Sequence, residues 1–290
     1  MDLLYIFLGL AVGIISGFFG LGGGFILTPV LILFGYEPVT AIATSLMYSI
    51  GTSVSGVFAH LRMKNIYWKT AITLGLSGVL ATQAAHPVVM WLSEKDWDKI
   101  VIPALYIILM GYFAVQLLRK KKNTTTAETP AENAFSMTKA LMIGFTGGFL
   151  STTLGVGGGF VMVPLMISVL KLEPRKAVGT SLVSVFAIVS AGFLTYAQSI
   201  TLNYHFGIFL IIGALIGAQL GARLTSLYQN HQMETYLGGI YAATIVSVFL
   251  QLLHFGHIGL GVVSVYIIIL LLVFLKDSAR YWRKKASAPS

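Results

Sequence analysis

Apolar positions in this chain fall in long unbroken runs, not in short alternating stretches. Ala177 to Ala222 contains no Asp, Glu, Lys or Arg, and neither does Thr235 to Leu275. About 20 helical residues cross the hydrocarbon core of a bilayer, so such runs predict transmembrane helices. Glycine, proline and charged residues divide the chain into about eleven apolar segments: Leu3–Phe19, Phe25–Phe34, Val39–Leu61, Trp68–Leu92, Lys99–Leu118, Thr138–Thr153, Phe160–Leu170, Ala177–Gln198, Tyr204–Leu224, Met233–Leu253 and Ile258–Leu275. The second and seventh are about 10–12 residues, roughly 15–18 Å of helix, against a core of about 30 Å. They either dip into the bilayer and return or continue another broken segment.

Composition supports a membrane protein. The 290 residues are 56% hydrophobic and 10% charged, where a soluble domain carries about 25% charged residues. That is too few for the polar faces of a large soluble helical core. Cysteine is absent, which excludes disulfides and thiol chemistry. The first residues lack a basic leader region, so no cleavable signal peptide is expected. The net charge of +9 sits in loops and tail. In a polytopic protein it reports orientation and not nucleic-acid binding.

The two halves match each other. Pro29 aligns with Pro164 at an offset of 135; after one inserted residue the offset is 136. Glu37-Pro38 then aligns with Glu173-Pro174, Ala43–Leu46 ("ATSL") with Gly179–Leu182 ("GTSL"), and Gln83 with Gln219. This is an internal duplication. The stretches Arg62–Lys69, Arg119–Lys122, Lys171–Lys176 and Arg280–Lys285 are basic and expected in the cytoplasm. Ser93–Lys99 and Ser199–Tyr204 are then outside. Eleven crossings satisfy these constraints with the N-terminus out and the C-terminus in. The expected fold is an all-α polytopic membrane protein of two inverted-topology repeats, about five segments each, plus one C-terminal helix. Residues 1–120 form the first repeat, 121–136 a polar cytoplasmic linker, 137–254 the second repeat, 255–276 the extra helix and 277–290 a basic tail. Inverted repeats are a transporter architecture.

Both repeats carry a triple glycine followed by Phe and then Pro: "GFFGLGGGFILTP" (Gly17–Pro29) and "LGVGGGFVMVP" (Leu154–Pro164). Each glycine costs a helix about 1 kcal/mol relative to alanine, so three in a row break it. Broken backbone survives at membrane depth only inside protein or beside a water-filled cavity. The segment after each break is a short helix whose first N–H groups lack helical partners and carry the positive dipole end. Gly22, Gly23 and Gly24 with Gly157, Gly158 and Gly159 are therefore candidate anion contacts, grouped with the adjoining Phe25 and Phe160. The competing reading is close helix packing through small residues. Lys does not follow the glycines, and Phe25 and Phe160 break a GxGxxG pattern, so neither nucleotide loop fits.

Thr44-Ser45 and Thr180-Ser181 follow the Glu-Pro turns. Their hydroxyls either donate to an anion or bond back to their own helix. Gln83 and Gln219 lie mid-segment, where they tie helices together or line a path. The histidines are scattered without metal-ligand spacing; His60 and His86 are candidates for proton or substrate contacts. No Asp or Glu lies mid-membrane, which disfavours a cation pump and favours an anionic substrate. No nucleophile or paired acid–base set is visible, so no enzymatic activity, cofactor or metal is expected.

These two glycine motifs, with "ATSL" and "GTSL", resemble the TauE/SafE family of sulfite-exporter-type membrane permeases. The resemblance spans nearly the whole chain. It implies transport of small anions, chiefly sulfur oxyanions and organosulfonates, often outward, in a bacterial-type inner membrane. It also implies that Gly22–Gly24, Gly157–Gly159 and the two Thr-Ser pairs match the family's signature elements. The expected partners are a small anionic substrate and the lipid bilayer. The expected mechanism is alternating access at a site between the repeats, the alternative being an anion channel.

Overall fold

The structure is a computed structural model describing residues 2–19, 22–119 and 136–286. The expected linker falls almost wholly outside these residues. Eleven α-helices are present among them: α1 Asp2–Phe19, α2 Gly24–Leu33, α3 Pro38–Arg62, α4 Trp68–Glu94, α5 Asp98–Arg119, α6 Met137–Leu154, α7 Gly159–Val169, α8 Pro174–Ser199, α9 Tyr204–Leu224, α10 Asn230–Leu252 and α11 Gly256–Ala286. They follow the apolar segments closely. Eight are long and apolar enough to cross a membrane, while α2 and α7 are short. The difference lies at the C-terminus, where α11 runs about ten residues past the apolar stretch. Tyr228 donates to Asp277 at 2.9 Å, holding the start of this extension against the chain.

Local chemistry sets the helix starts. Glu37 and Glu173 are extended N-caps (φ −59 and −58), each followed by Pro in the first helical turn. Proline suits that position, because its missing N–H would be unpaired there anyway.

Helices pair across the halves in an exchangeable pattern. α1 packs on α9, and its counterpart α6 packs on α4. Likewise α3 meets α9 while α8 meets α4, and α5 meets α10. The first of these pairings is a glycine seam. Gly9, Gly13 and Gly17 face Leu210, Ala214 and Ala218, and Gly213, Gly217 and Gly221 face back onto α1 backbone. Numbering rises together on both helices, so α1 and α9 are parallel. Gly144 and Gly148 lie against Leu74 and Gly78 in the same way. Small residues let the backbones approach, which drives helix association where lipid is as apolar as the side chains. The counterparts α3 and α8 cross antiparallel: Leu46 lies near Gly192, and Leu182 near Gly56.

Outward faces are greasy. Ile72, Leu76 and Leu80 on α4 are exposed, as are Ile208, Ile212 and Ile216 at the matching positions of α9. A four-residue period puts each set on one helix face. Patches of this kind are unsuited to water and match lipid. Trp68, Trp91 and Trp97 are half exposed near helix ends, where aromatic belts form.

Candidate functional site

The two glycine turns meet between the halves. Gly22 and Gly157 both have left-handed backbone (φ +77 and +76), a conformation that only glycine enters without strain. Their backbones abut: a Cβ on Gly22 would lie 3.8 Å from the Gly157 Cα, and one on Gly157 3.7 Å from the Gly22 Cα. Gly24 is packed tighter still, since a Cβ there would collide with the Gly155 carbonyl oxygen. That same oxygen accepts from the Thr28 hydroxyl at 3.3 Å. The short helices α2 and α7 thus start from adjoining turns.

The first turn has hydroxyl walls. The Gly23 N–H donates to Thr52 Oγ1 (3.3 Å) and the Gly24 N–H to Ser49 Oγ (3.1 Å). The Thr52 hydroxyl in turn donates to the Ser49 carbonyl at 3.1 Å. Ser49 is fully buried and its hydroxyl has no acceptor among the described residues. Ser45 and Ser53 lie one turn before and after it on the same face of α3; both are fully buried and their Oγ atoms have no partner among the described residues. Ser151, whose Cβ lies 3.3 Å from where a Gly158 Cβ would be, is likewise buried and unpartnered. Tyr48 lies against Gly23 and donates to the Gly9 carbonyl at 2.8 Å, anchoring this wall to α1.

The second turn is built differently. The Gly159 N–H bonds the Gly157 carbonyl at 2.9 Å, and the N–H groups of Val161 and Met162 bond that of Gly158. At the offset of 136, Ser49, Thr52 and Ser53 become Val185, Ile188 and Val189 on α8. Val185 comes within 3.8 Å of the Gly22 position. Every group named around the crossing is uncharged. Its polar part consists of hydroxyls and peptide dipoles, which stabilise an anion through donated hydrogen bonds without a fixed counter-charge.

The structure separates the remaining candidates. Thr44 is buried beside Ser45 on α3. Thr180 instead accepts from the Tyr67 N–H at 3.0 Å, and Ser181 bonds back to the Val178 carbonyl at 2.8 Å. That second pair fastens α8 to the α3–α4 loop. Gln83 is exposed and donates to Thr195 at 3.3 Å, tying α4 to α8. Gln219 lines a cavity at the end of α9, away from the glycines. Phe25 and Phe160 are fully buried with rings turned to α5 and α10: Phe25 lies 6.2 Å from Tyr241, and Phe160 5.7 Å from Phe113. His60 packs at Gly179 and His86 against the Tyr196 ring at 4.8 Å. Ser49, Thr52, Ser53 and Ser151 join the candidate site from the structure; sequence reasoning missed them. The signal was present as a hydroxyl at every turn of "SLMYSIGTSVS" (Ser45–Ser55).

The family profile described as "Sulfite exporter TauE/SafE" matches residues 5–248. This chain belongs to the TauE/SafE family. Similar curated proteins include the probable membrane transporter protein YjnA of Bacillus subtilis, 26% identical over 83% of this chain and 96% of its own length. YtnM of the same organism, also named a probable membrane transporter protein, is 28% identical over 82% of this chain and 79% of its own. A probable membrane transporter protein of Methanocaldococcus jannaschii is 26% identical over 82% and 91%. No solved structure matches the chain. As a TauE/SafE protein it is a multi-pass membrane transporter, not an enzyme.

Proposed function

We propose that the chain is a secondary transporter of small anions, of the sulfur oxyanion or organosulfonate class, working outward by alternating access. The substrate sits where the glycine turns of α2 and α7 meet. The observation that carries this reading is the contact of Gly22 with Gly157 beside the buried hydroxyls of α3. It puts hydrogen-bond donors, without carboxylates, at the seam between the halves. Ser49 has a donor to give, and the N–H groups of Gly23 and Gly24 can exchange hydroxyl partners for substrate oxygens. The antiparallel crossing of α3 with α8 supports inverted-topology repeats, since equivalent helices point opposite ways.

Charge supports the orientation. The end formed by the α3–α4 and α7–α8 loops carries Arg62, Lys64, Lys69, Lys171, Arg175 and Lys176 with the single carboxylate of Glu173. The opposite end carries Asp2, Glu37, Glu94, Asp96 and Asp98 with Lys95 and Lys99. The positive-inside rule makes the first end cytoplasmic, with the N-terminus outside. An inside-negative potential then drives an anion out by about 2.3 kcal/mol per charge per 100 mV, so export needs no coupled ion.

Flux of sulfite and sulfoacetate into proteoliposomes tests the reading. Saturable flux that Ser49→Ala lowers tenfold or more, in protein that still folds and unfolds cooperatively, is the expected result. Saturable flux indifferent to Ser49 and Gly157 moves the site elsewhere. An ohmic, non-saturating anion current replaces alternating access with a channel.

A further inference from the structure

The cavity at the cytoplasmic end of α3 and α9 lies apart from the glycine crossing, and Gln219 gives it a polar group the transport site does not use. It encloses about 620 Å3. Phe58, Ala59 and Met63 form an apolar wall; Arg62, Gln219 and Arg223 supply the polar side. Ser55 closes the inner end, its hydroxyl already committed to the Leu215 carbonyl at 3.2 Å. Phe58 is 62% exposed, and Arg223 continues the outward stripe of Ile212, Ile216 and Leu220. The cavity therefore opens on the lipid-facing surface.

The duplication supplies an internal control. At the offset of 136, the matching groove between α8 and α4 has Leu194 for Phe58 and Gln83 for Gln219. It has Gln198 for Arg62 and Pro87 for Arg223. Both grooves keep a greasy outer stripe and a glutamine; only the one at the basic end has cations. The matching groove packs with Gln198 and Pro87 at these positions. What differs between the two ends is the leaflet they face. Anionic lipids concentrate in the cytoplasmic leaflet, and basic pockets between helices hold their headgroups. The volume and apolar wall exceed what a tetrahedral oxyanion needs and suit a headgroup with the start of its acyl chains.

We infer that the α3–α9 cavity binds an anionic glycerophospholipid, its phosphodiester held by Arg62 and Arg223, its glycerol by Gln219 and its upper chain against Phe58 and Met63. This rests on the orientation proposed above and is independent of the transported anion.

Native mass spectrometry of the full chain, exchanged into phosphatidylcholine with added phosphatidylglycerol, tests it. The parent protein should retain phosphatidylglycerol preferentially. Arg62→Gln or Arg223→Gln should each lower retention about fivefold, while Gln83→Ala in the matching groove should not. Should the arginine variants fold poorly, Phe58→Trp keeps both arginines and reads the cavity directly: brominated phosphatidylglycerol should quench its added fluorescence more than brominated phosphatidylcholine. Equal retention or equal quenching of the two lipids overturns the assignment. So does displacement of phosphatidylglycerol by sulfite or inorganic phosphate, which would make the cavity a site for free oxyanions. Sulfite flux in phosphatidylcholine alone is measured in parallel, so loss of the lipid site and loss of the transport reading are told apart.

Discussion

The turn at Gly22–Gly24 and the turn at Gly157–Gly159 share a sequence and a backbone device, yet their walls differ. Ser49 and Thr52 on α3 bond the first, and Ser49 also borders the second, its Oγ 3.4 Å from where a Gly157 Cβ would be; the equivalent positions of α8 hold Val185 and Ile188. In the first, side-chain oxygens satisfy the helix-start N–H groups; in the second, carbonyls of the turn itself do so. Duplication has kept the left-handed backbone of Gly22 and Gly157, but the next residue is right-handed at Gly23 and left-handed at Gly158, and the side-chain chemistry has diverged. A two-fold architecture therefore holds a lopsided polar surface, with Ser45, Ser49, Thr52 and Ser53 on α3 against Ser151 beside the second turn; on the transport reading proposed above, substrate recognition falls mainly to the first half.

Substitutions can break or sharpen this contrast. The largest effect is expected at Gly24, where any side chain meets the Gly155 carbonyl. Gly24→Ala should destabilise by about 1–3 kcal/mol through overpacking and abolish flux, read by thermal unfolding in detergent and by proteoliposome uptake. Next comes Ser49→Ala, which strands the buried Gly24 N–H at about 1–3 kcal/mol and should cut flux tenfold or more. Val185→Ala, its counterpart, should leave the KM for sulfite within twofold; an equal loss at both positions would show that the site is two-sided after all. Thr180→Val removes the acceptor for the Tyr67 N–H. It should lower stability by about 1 kcal/mol and leave the KM unchanged, separating the second Thr-Ser pair from the substrate. The smallest effect is expected at Gln83→Leu, an exposed tie between α4 and α8, with under about 0.5 kcal/mol on stability.

The contrast also explains what was legible in the sequence. Apolar runs, Glu-Pro helix starts and glycine breaks each have a one-dimensional signature, and the structure follows them. The hydroxyl wall does not, because a serine in an apolar helix reads the same whether it bonds back or faces a turn. Matching the halves steered attention to what they share, and so to Thr180-Ser181, which fastens a loop. Ser49 stood opposite a valine and drew none. Phe25 and Phe160 adjoin the glycines in sequence, but each helical residue turns about 100° from the last. That rotation carries both rings to the far side, against α5 and α10. Gln219 was visible as a costly mid-segment amide, Arg62 as part of a basic stretch and Arg223 as the end of an apolar run; that the three line one cavity shows only in the packing of α3 against α9.

The glycine seam between α1 and α9 has a consequence in time. The face of Gly9, Gly13 and Gly17 that packs on α9 stays uncovered until residues beyond 204 have been synthesised. At about 5–20 residues per second, the first helix waits roughly 10–40 s in the membrane with its packing face bare. During that interval the nascent first half is exposed to proteases and chaperones, and a chain ended at the linker would stay in that condition permanently.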